Sequence, residues 1–501
     1  MSEQQSSYRQ IMKATSLFGG VQVFNIIISV IRSKFVAVLL GPSGMGISGL
    51  LYSTIGLIGG LTNFGLGTSA VKDISIAFGS GDQTRISIVV KVLRRILWIT
   101  GVVGALLTLM LSPWLSQFTF GNRNFTFAFL WLSITVLFKQ ITNGQLAILQ
   151  GLRKLQYLAK ANFLGSILGL ITTVPLYYFF GNSGIVPGII VTSILALALS
   201  WYFFRKIEIQ PIKVSNIRIF AEGKNMLLMG FMISLSGIMV SGSSYIVRIF
   251  INSNGGIEQV GLYNAGFAII NTYVGLIFTA MATDYYPRLS AVAHSNKLCK
   301  QTINQQAEIA ILIISPILNI FLIFINGVVI LLYSSKFIAV NEMIHWAALG
   351  MFFKAISWSV SFIFLAKGTS KLFFWNELLA NIYLLGFNIF GYYFFGLKGL
   401  GVSFMISYFI YFVQVYLISK IKFEFNFDKE VVQVFALQFA IAFSSFLVVR
   451  YLGTIETYIL GSILILSSSW ISFRELDKKL GINDVFRNFR KGIFNSLKPS
   501  K

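Results

Sequence analysis

Residues 125–149 read FTFAFLWLSITVLFKQITNGQLAIL and hold a single charge, Lys139. A helix crosses the hydrocarbon core of a bilayer with about 20 mainly apolar residues, so this stretch reads as a membrane span with a cation inside it. A counterpart lies 215 residues further on: Phe138-Lys139-Gln140-Ile141-Thr142 aligns with Phe353-Lys354-Ala355-Ile356-Ser357. One span decides the class of protein, and its image decides the architecture.

The composition agrees. Over 501 residues, 55% are hydrophobic and only 11% charged, with a mean hydropathy of +0.76. Soluble domains carry about 25% charged residues, so neither a soluble nor a disordered chain fits. Apolar stretches of spanning length recur fourteen times, at about 15–40, 45–70, 87–111, 125–149, 158–180, 184–204, 225–251, 258–283, 305–332, 341–366, 372–395, 399–419, 431–449 and 456–472. No cleavable signal is expected, because residues 1–10 are polar and the first apolar stretch is too long for one. No inter-span segment is large enough to hide a soluble domain.

The charge balance tests the count. There are 40 Lys and Arg against 17 Asp and Glu, a formal charge of +23. With the N-terminus inside, thirty-one cations fall on the inner side and four, Arg123, Lys336, Lys398 and Arg450, on the outer. That asymmetry obeys the positive-inside rule and places both termini in the cytoplasm. The excess therefore reports topology and an anionic ligand, with no nucleic acid as partner. The basic tail is expected along anionic lipid headgroups.

The offset of 215 persists: Gly46 meets Gly261, Ser75 meets Ser290, Gly181 and Gly184 meet Gly396 and Gly399, and Arg205 meets Lys420. With one gap, Arg32 meets Arg248. An even number of spans separates equivalent positions, so the halves share one orientation, a parallel repeat. The expected fold is an all-α integral membrane protein of about fourteen transmembrane helices. It has two six-helix lobes in pseudo-twofold repeat plus two extra C-terminal helices. The expected divisions are an N-lobe (1–206), a cytoplasmic linker (207–224), a C-lobe (225–422), the last two helices (423–472) and a basic tail (473–501).

Five cations lie inside spans: Arg32, Lys34, Lys139, Arg248 and Lys354. Each costs about 2.5–3.5 kcal/mol at a helix centre. Lys139 and Lys354 sit roughly 20 Å from the outer ends of their helices at 1.5 Å per residue, too deep to snorkel outward. A water-filled cavity is the better account of Arg32, Lys139 and Lys354. For Arg248 and Lys34, snorkelling or pairing with helix carbonyls competes equally. Buried carboxylates are scarce, since Asp284, Glu308, Glu342, Glu377 and Glu456 lie near span ends. A positive cavity expects an anion, and Arg and Lys are the usual phosphate binders. The candidate substrate-binding residues are therefore Arg32, Lys139, Arg248 and Lys354. One cysteine, Cys299, and two histidines leave no disulfide framework and little for a metal site; no cofactor is expected. In-span Asn25, Asn63, Asn271, Asn381, Asn388 and Gln414 read first as helix-packing groups and second as sugar ligands.

Residues 41–46, Gly41-Pro42-Ser43-Gly44-Met45-Gly46, form an expected tight outer turn, followed by Gly65-Leu66-Gly67-Thr68-Ser69-Ala70-Val71 closing span 2. With the topology and the repeat, these motifs resemble the polysaccharide-transporter branch of the multidrug/oligosaccharidyl-lipid/polysaccharide (MOP) exporter superfamily. The resemblance is strongest to O-antigen (Wzx-type) flippases, and the two-lobe, MATE-like layout extends along the whole chain. It implies translocation of undecaprenyl-diphosphate-linked oligosaccharide from the inner to the outer leaflet of the bacterial inner membrane by alternating access, without catalysis. It also implies membrane lipids and the polysaccharide assembly machinery as partners, with a monomer sufficient for function. The drug-exporting branch is the alternative, but its buried carboxylate in helix 1 is missing here. A membrane polymerase or ligase would need catalytic groups in sizeable outer loops, and the longest, about 112–124, has no carboxylate or histidine. A scaffold or scramblase leaves the symmetric cations unexplained.

Overall fold

A computed structural model describes residues 3–480 except 211 and 213, with side chains from Phe24 onward apart from several in the eighth to tenth helices. Much of the basic tail, including Arg487, Arg490, Lys491, Lys498 and Lys501, lies outside the described residues. The helices are α1 (Glu3–Asn63), α2 (Leu66–Gly79), α3 (Gln83–Met110), α4 (Ser112–Phe120), α5 (Thr126–Gly151), α6 (Leu155–Phe180), α7 (Ile185–Arg205), α8 (Asn216–Gly255), α9 (Ile257–Phe267), α10 (Leu276–Ala291), α11 (Asn296–Leu332), α12 (Asn341–Ala366), α13 (Ser370–Phe423), α14 (Lys429–Tyr451) and α15 (Thr454–Leu480). A short π-helical stretch, Ala268–Val274, joins α9 to α10.

All fourteen expected spans fall on helix among the described residues. Three apolar stretches, Phe24–Asn63, Leu155–Arg205 and Ser370–Phe423, run to 40, 51 and 54 residues. At 1.5 Å per residue each is about twice the hydrocarbon thickness, and each breaks once near its middle. The breaks are at Gly41 (φ 67°), Gly181 (φ 54°) and Gly396 (φ 57°), so every such stretch holds two spans. The expected turn over residues 41–46 narrows to Gly41 alone. Pro42 to Gly46 are already helical, because proline suits a first helical turn, where its missing N–H is not needed. The expected outer loop 112–124 is mostly the helix α4, bent by 67° from α3. Span 2 is interrupted by left-handed Phe64 and Gly65 before α2 resumes it.

The repeat is written in the backbone. Left-handed residues recur at the offset: Gly41 with Gly256, Arg153 with Gly368, and Gly181 with Gly396. The chain ends α5 at Arg153 with Lys154 N donating to Leu149 O (2.8 Å). It ends α12 at Gly368 with Thr369 N donating to Phe364 O (2.9 Å). These are the same Schellman closure, 215 residues apart. Exposed aromatics also repeat, Tyr178-Phe179-Phe180 and Tyr393-Phe394-Phe395, as expected for an interfacial aromatic belt.

Equivalent positions meet in one place. Gly46 lies against the Ile257 carbonyl, and its equivalent Gly261 lies against the carbonyl of Pro42, the equivalent of Ile257. Gly49 abuts Asn264, which is its own counterpart. Reciprocal contact of this kind is what a two-fold relation requires. Any side chain at Gly46 or Gly261 would strike backbone, so close approach explains both glycines.

The chain divides into two compact units, Met1–Asn264 with Leu331–Phe337, and Ala265–Ile330 with Ile338–Lys501. The first therefore includes α8, the seventh span. The reason is close packing: Gly65 and Gly230 abut each other's backbone, Tyr245 meets Thr119 through a 2.5 Å hydrogen bond, and Ile219 and Met226 join a core built from α2, α3 and α5. The second unit packs α10 to α14 around Tyr285, Ile311, Phe364 and Val415. There α15 is tied down by the Glu308–Lys479 ion pair and by Gln438 bonding to Ser468 and Ser472.

Candidate substrate site: cations inside the spans

In the first unit, α1 and α5 bring Arg32 and Lys139 to one tyrosine. Arg32 donates to the Tyr52 hydroxyl (3.2 Å) and hydrogen-bonds Tyr177 from α6. The Lys139 ammonium stands over the Tyr52 ring, 5.2 Å from its centroid. The two cations also act on each other electrostatically. Their neighbours are rings and hydroxyls, which soften a cation's burial without neutralising it. α5 is held in register beside them by Gln140, which donates to Gly59 O (3.1 Å) and Thr62 (3.2 Å) on α1.

The second unit repeats the arrangement around Lys354. Its ammonium donates to Asn271 Oδ1 (2.7 Å) and stands over the rings of Tyr408 (5.1 Å) and Phe404 (5.7 Å). Asn271 sits in the π-helical stretch; such bulges re-aim side chains and cluster at functional sites. A helix-packing reading of Asn271 thus gives way to one in which it is partner to a half-buried cation.

Arg248 keeps separate company. Its Nε donates to Asn264 Oδ1 (2.8 Å) and its Nη1 to the Ser244 carbonyl (3.0 Å), the carbonyl pairing foreseen for it. The structure does not join it to the Arg32–Tyr52–Lys139 group. Among the described residues, none of Arg32, Lys139, Arg248 or Lys354 pairs with a carboxylate. The acidic residues are engaged elsewhere: Glu308 with Lys479, Asp284 with Arg288, Glu342 with Lys398, and Glu377 with the Tyr411 hydroxyl (2.5 Å).

Tyr52, Tyr177, Asn264 and Tyr408 are partners of these cations that sequence reasoning missed. Tyrosine is common in spans and carries no charge to mark it. Its position under a cation became visible only when the helices were packed.

Long apolar helices in a repeated arrangement, with part-buried cations among neutral groups, are the architecture of a multi-pass membrane protein. The polysaccharide biosynthesis protein family matches residues 35–342, and the chain belongs to that family. It is 19% identical over 381 residues to the lipid III flippase of Escherichia coli (strain K12), covering 76% of this chain and 91% of that protein. Among solved structures it is similar to the lipid II flippase MurJ in an inward closed conformation, with a TM-score of 0.68 and 14% identity over 92% of this chain and 99% of the other. It is also similar to an inward-facing multidrug resistance MATE family transporter of the MOP superfamily, with a TM-score of 0.67 and 16% identity over 80% and 94% of the two chains. These two likenesses establish the fold.

Proposed function

We propose that the protein is a flippase for lipid-linked oligosaccharide. In this reading it moves undecaprenyl-diphosphate-linked O-antigen or other polysaccharide repeat units from the inner to the outer leaflet of the bacterial inner membrane. The observation that carries the reading is the pair of cation sites whose neighbours are neutral. Two cations sharing Tyr52 repel one another, and a diphosphate would relieve that repulsion and form charge-assisted hydrogen bonds. A cationic drug would add to the repulsion, which argues against the multidrug alternative. The lipid III and lipid II substrates of the similar flippases support a lipid-linked precursor as cargo.

Mechanistically, the diphosphate enters from the inner leaflet, and Arg32, Lys139, Arg248 and Lys354 offset its desolvation. The polyprenyl tail stays in the lipid while the six-helix lobes rock to open outward. The chain does this as a monomer without chemical catalysis, with both termini in the cytoplasm, alongside the polysaccharide assembly machinery. The test is deletion in the host. Surface polysaccharide should disappear, undecaprenyl-linked repeat units should accumulate inside, and only the wild-type gene, not the Lys139→Ala/Lys354→Ala double variant, should restore export. Rescue by the double variant would overturn the site assignment. Normal polysaccharide in the deletion strain, with no second flippase present, would overturn the function.

A further inference from the structure

Within the first unit, α1, α2, α5 and α8 line an open cleft of about 630 Å³, within the usual size range for small-molecule sites. Its polar lining is Asn63, Thr68, Asn143, Gln150, Ser234 and Ser241; the remainder is glycine and aliphatic. Among the described residues, no charged and no aromatic side chain lines it. It therefore suits neither a diphosphate nor a cationic drug.

Three observations bear on its occupant. First, Lys139, Asn143 and Gln150 are four and eleven residues apart on α5, which puts them on one face at rises of about 6 and 16 Å. The cation of the candidate site thus continues directly into two amides, both exposed towards the cavity. Second, Asn63 and Thr68 add an amide and a hydroxyl to the same lining. Third, a Cβ added at Gly56, Gly67 or Gly237 would meet nothing within 4 Å. Each glycine costs a helix about 1 kcal/mol relative to alanine, and packing does not require any of the three. Each leaves the cleft open on its side. Amides and hydroxyls donate and accept together, which matches the paired hydroxyls of a sugar. An acyl chain would leave these groups unsatisfied.

The geometry points to a glycan subsite in which Asn63, Asn143 and Gln150 hold an uncharged sugar of the cargo while Lys139 holds its diphosphate. This rests on the flippase reading above. It adds a specificity: the sugar seated here is neutral, because a uronic acid would set its carboxylate against a lining whose described residues include no cation.

The test uses the full chain in lipid nanodiscs with three probes: a short-chain polyprenyl diphosphate, the same lipid bearing a neutral disaccharide, and the same lipid bearing a disaccharide with a uronic acid. Wild type should bind the neutral glycolipid roughly tenfold more tightly than the bare diphosphate, the worth of one or two net hydrogen bonds. The acidic glycolipid should gain nothing. Asn143→Leu/Gln150→Leu should erase the tenfold gain and leave the Kd of the bare diphosphate unchanged, and Gly237→Val, which narrows the cleft with an apolar branch, should reduce the gain without changing the bare-diphosphate Kd. Both variants should elute as wild type on size exclusion. Lys139→Gln should weaken all three probes alike. A gain that survives both cavity variants, an equal gain for the acidic glycolipid, or a parallel loss of bare-diphosphate binding in the cavity variants would overturn the subsite. If wild type fails to bind bare diphosphate, or Lys139→Gln leaves that binding intact, the flippase reading fails and the subsite falls with it.

Discussion

Lys139 and Lys354 are held by groups that cannot cancel their charge. A lysine over a tyrosine ring gains about 0.5–2 kcal/mol of cation–π attraction, whereas a carboxylate would have satisfied it and closed the site to anions. Lys139→Gln keeps the side chain's size and removes the charge. It should lower export about tenfold to a hundredfold, the worth of one charge-assisted hydrogen bond of about 1.5–3 kcal/mol, read as accumulation of lipid-linked repeat units in the complemented deletion strain. Tyr52→Phe keeps the ring under Lys139 (5.2 Å) and removes only the hydroxyl that receives Arg32 (3.2 Å). Its loss should be smaller, about threefold to tenfold; a loss as large as that of Lys139→Gln would mean that orienting Arg32 matters as much as the lysine charge. At this scale the sequence was informative where a charge stood in an apolar stretch and silent where an uncharged group did the positioning. Asn271 looked like any other in-span asparagine until the π-helical turn aimed it at Lys354.

Helix ends and helix contacts carry the repeat more clearly than helix interiors do. Interiors can exchange one apolar residue for another, but a Schellman closure needs a left-handed residue at one position. The first half puts Arg153 there and the second Gly368. Left-handed geometry costs a non-glycine residue about 1–2 kcal/mol, so Arg153→Gly should raise the thermal stability of the detergent-solubilised protein by up to about 1 kcal/mol; a fall would show that the arginine side chain contributes more than the backbone strain takes away. The C-terminal elements depend on another local device. Glu308 is buried and paired with Lys479 on α15, so Lys479→Ala should leave a buried acceptor unsatisfied and destabilise by about 1–3 kcal/mol. Adding Glu308→Gln should recover part of that loss in a double-mutant cycle, because the charge that needed a partner is gone. The breaks at Gly41, Gly181 and Gly396 show why span lengths were readable from sequence while true helix boundaries were not. Hydropathy counts apolar residues, and it does not register that one left-handed glycine can turn a helix back without leaving it.

For the molecule as a whole, hydropathy and charge asymmetry together were enough to read the number of spans, because the bilayer allows few solutions: backbone polar groups must be satisfied within each crossing. They were not enough to read which spans pack together. α8 opens the second repeat in sequence, yet its contacts with α2 and α3 run through Gly65, Gly230 and Ile96, and no periodic pattern announces contacts made by glycine. Sidedness is the remaining global property, and it can be tested directly. Cys299 is the single cysteine and is buried, so Cys299→Ser gives a background in which one introduced thiol reports its own side of the membrane. Arg123 lies between α4 and α5, and Lys224 lies near the start of α8; both are exposed. With the N-terminus inside, Arg123→Cys should react with an impermeant maleimide in intact cells, and Lys224→Cys only after permeabilisation. The opposite pattern would invert the molecule and contradict the thirty-one to four distribution of cations. Labelling of both in intact cells would remove a crossing between them. An odd number of spans before α8 would then set the two halves antiparallel, and Lys139 and Lys354 would face opposite leaflets rather than serve one substrate.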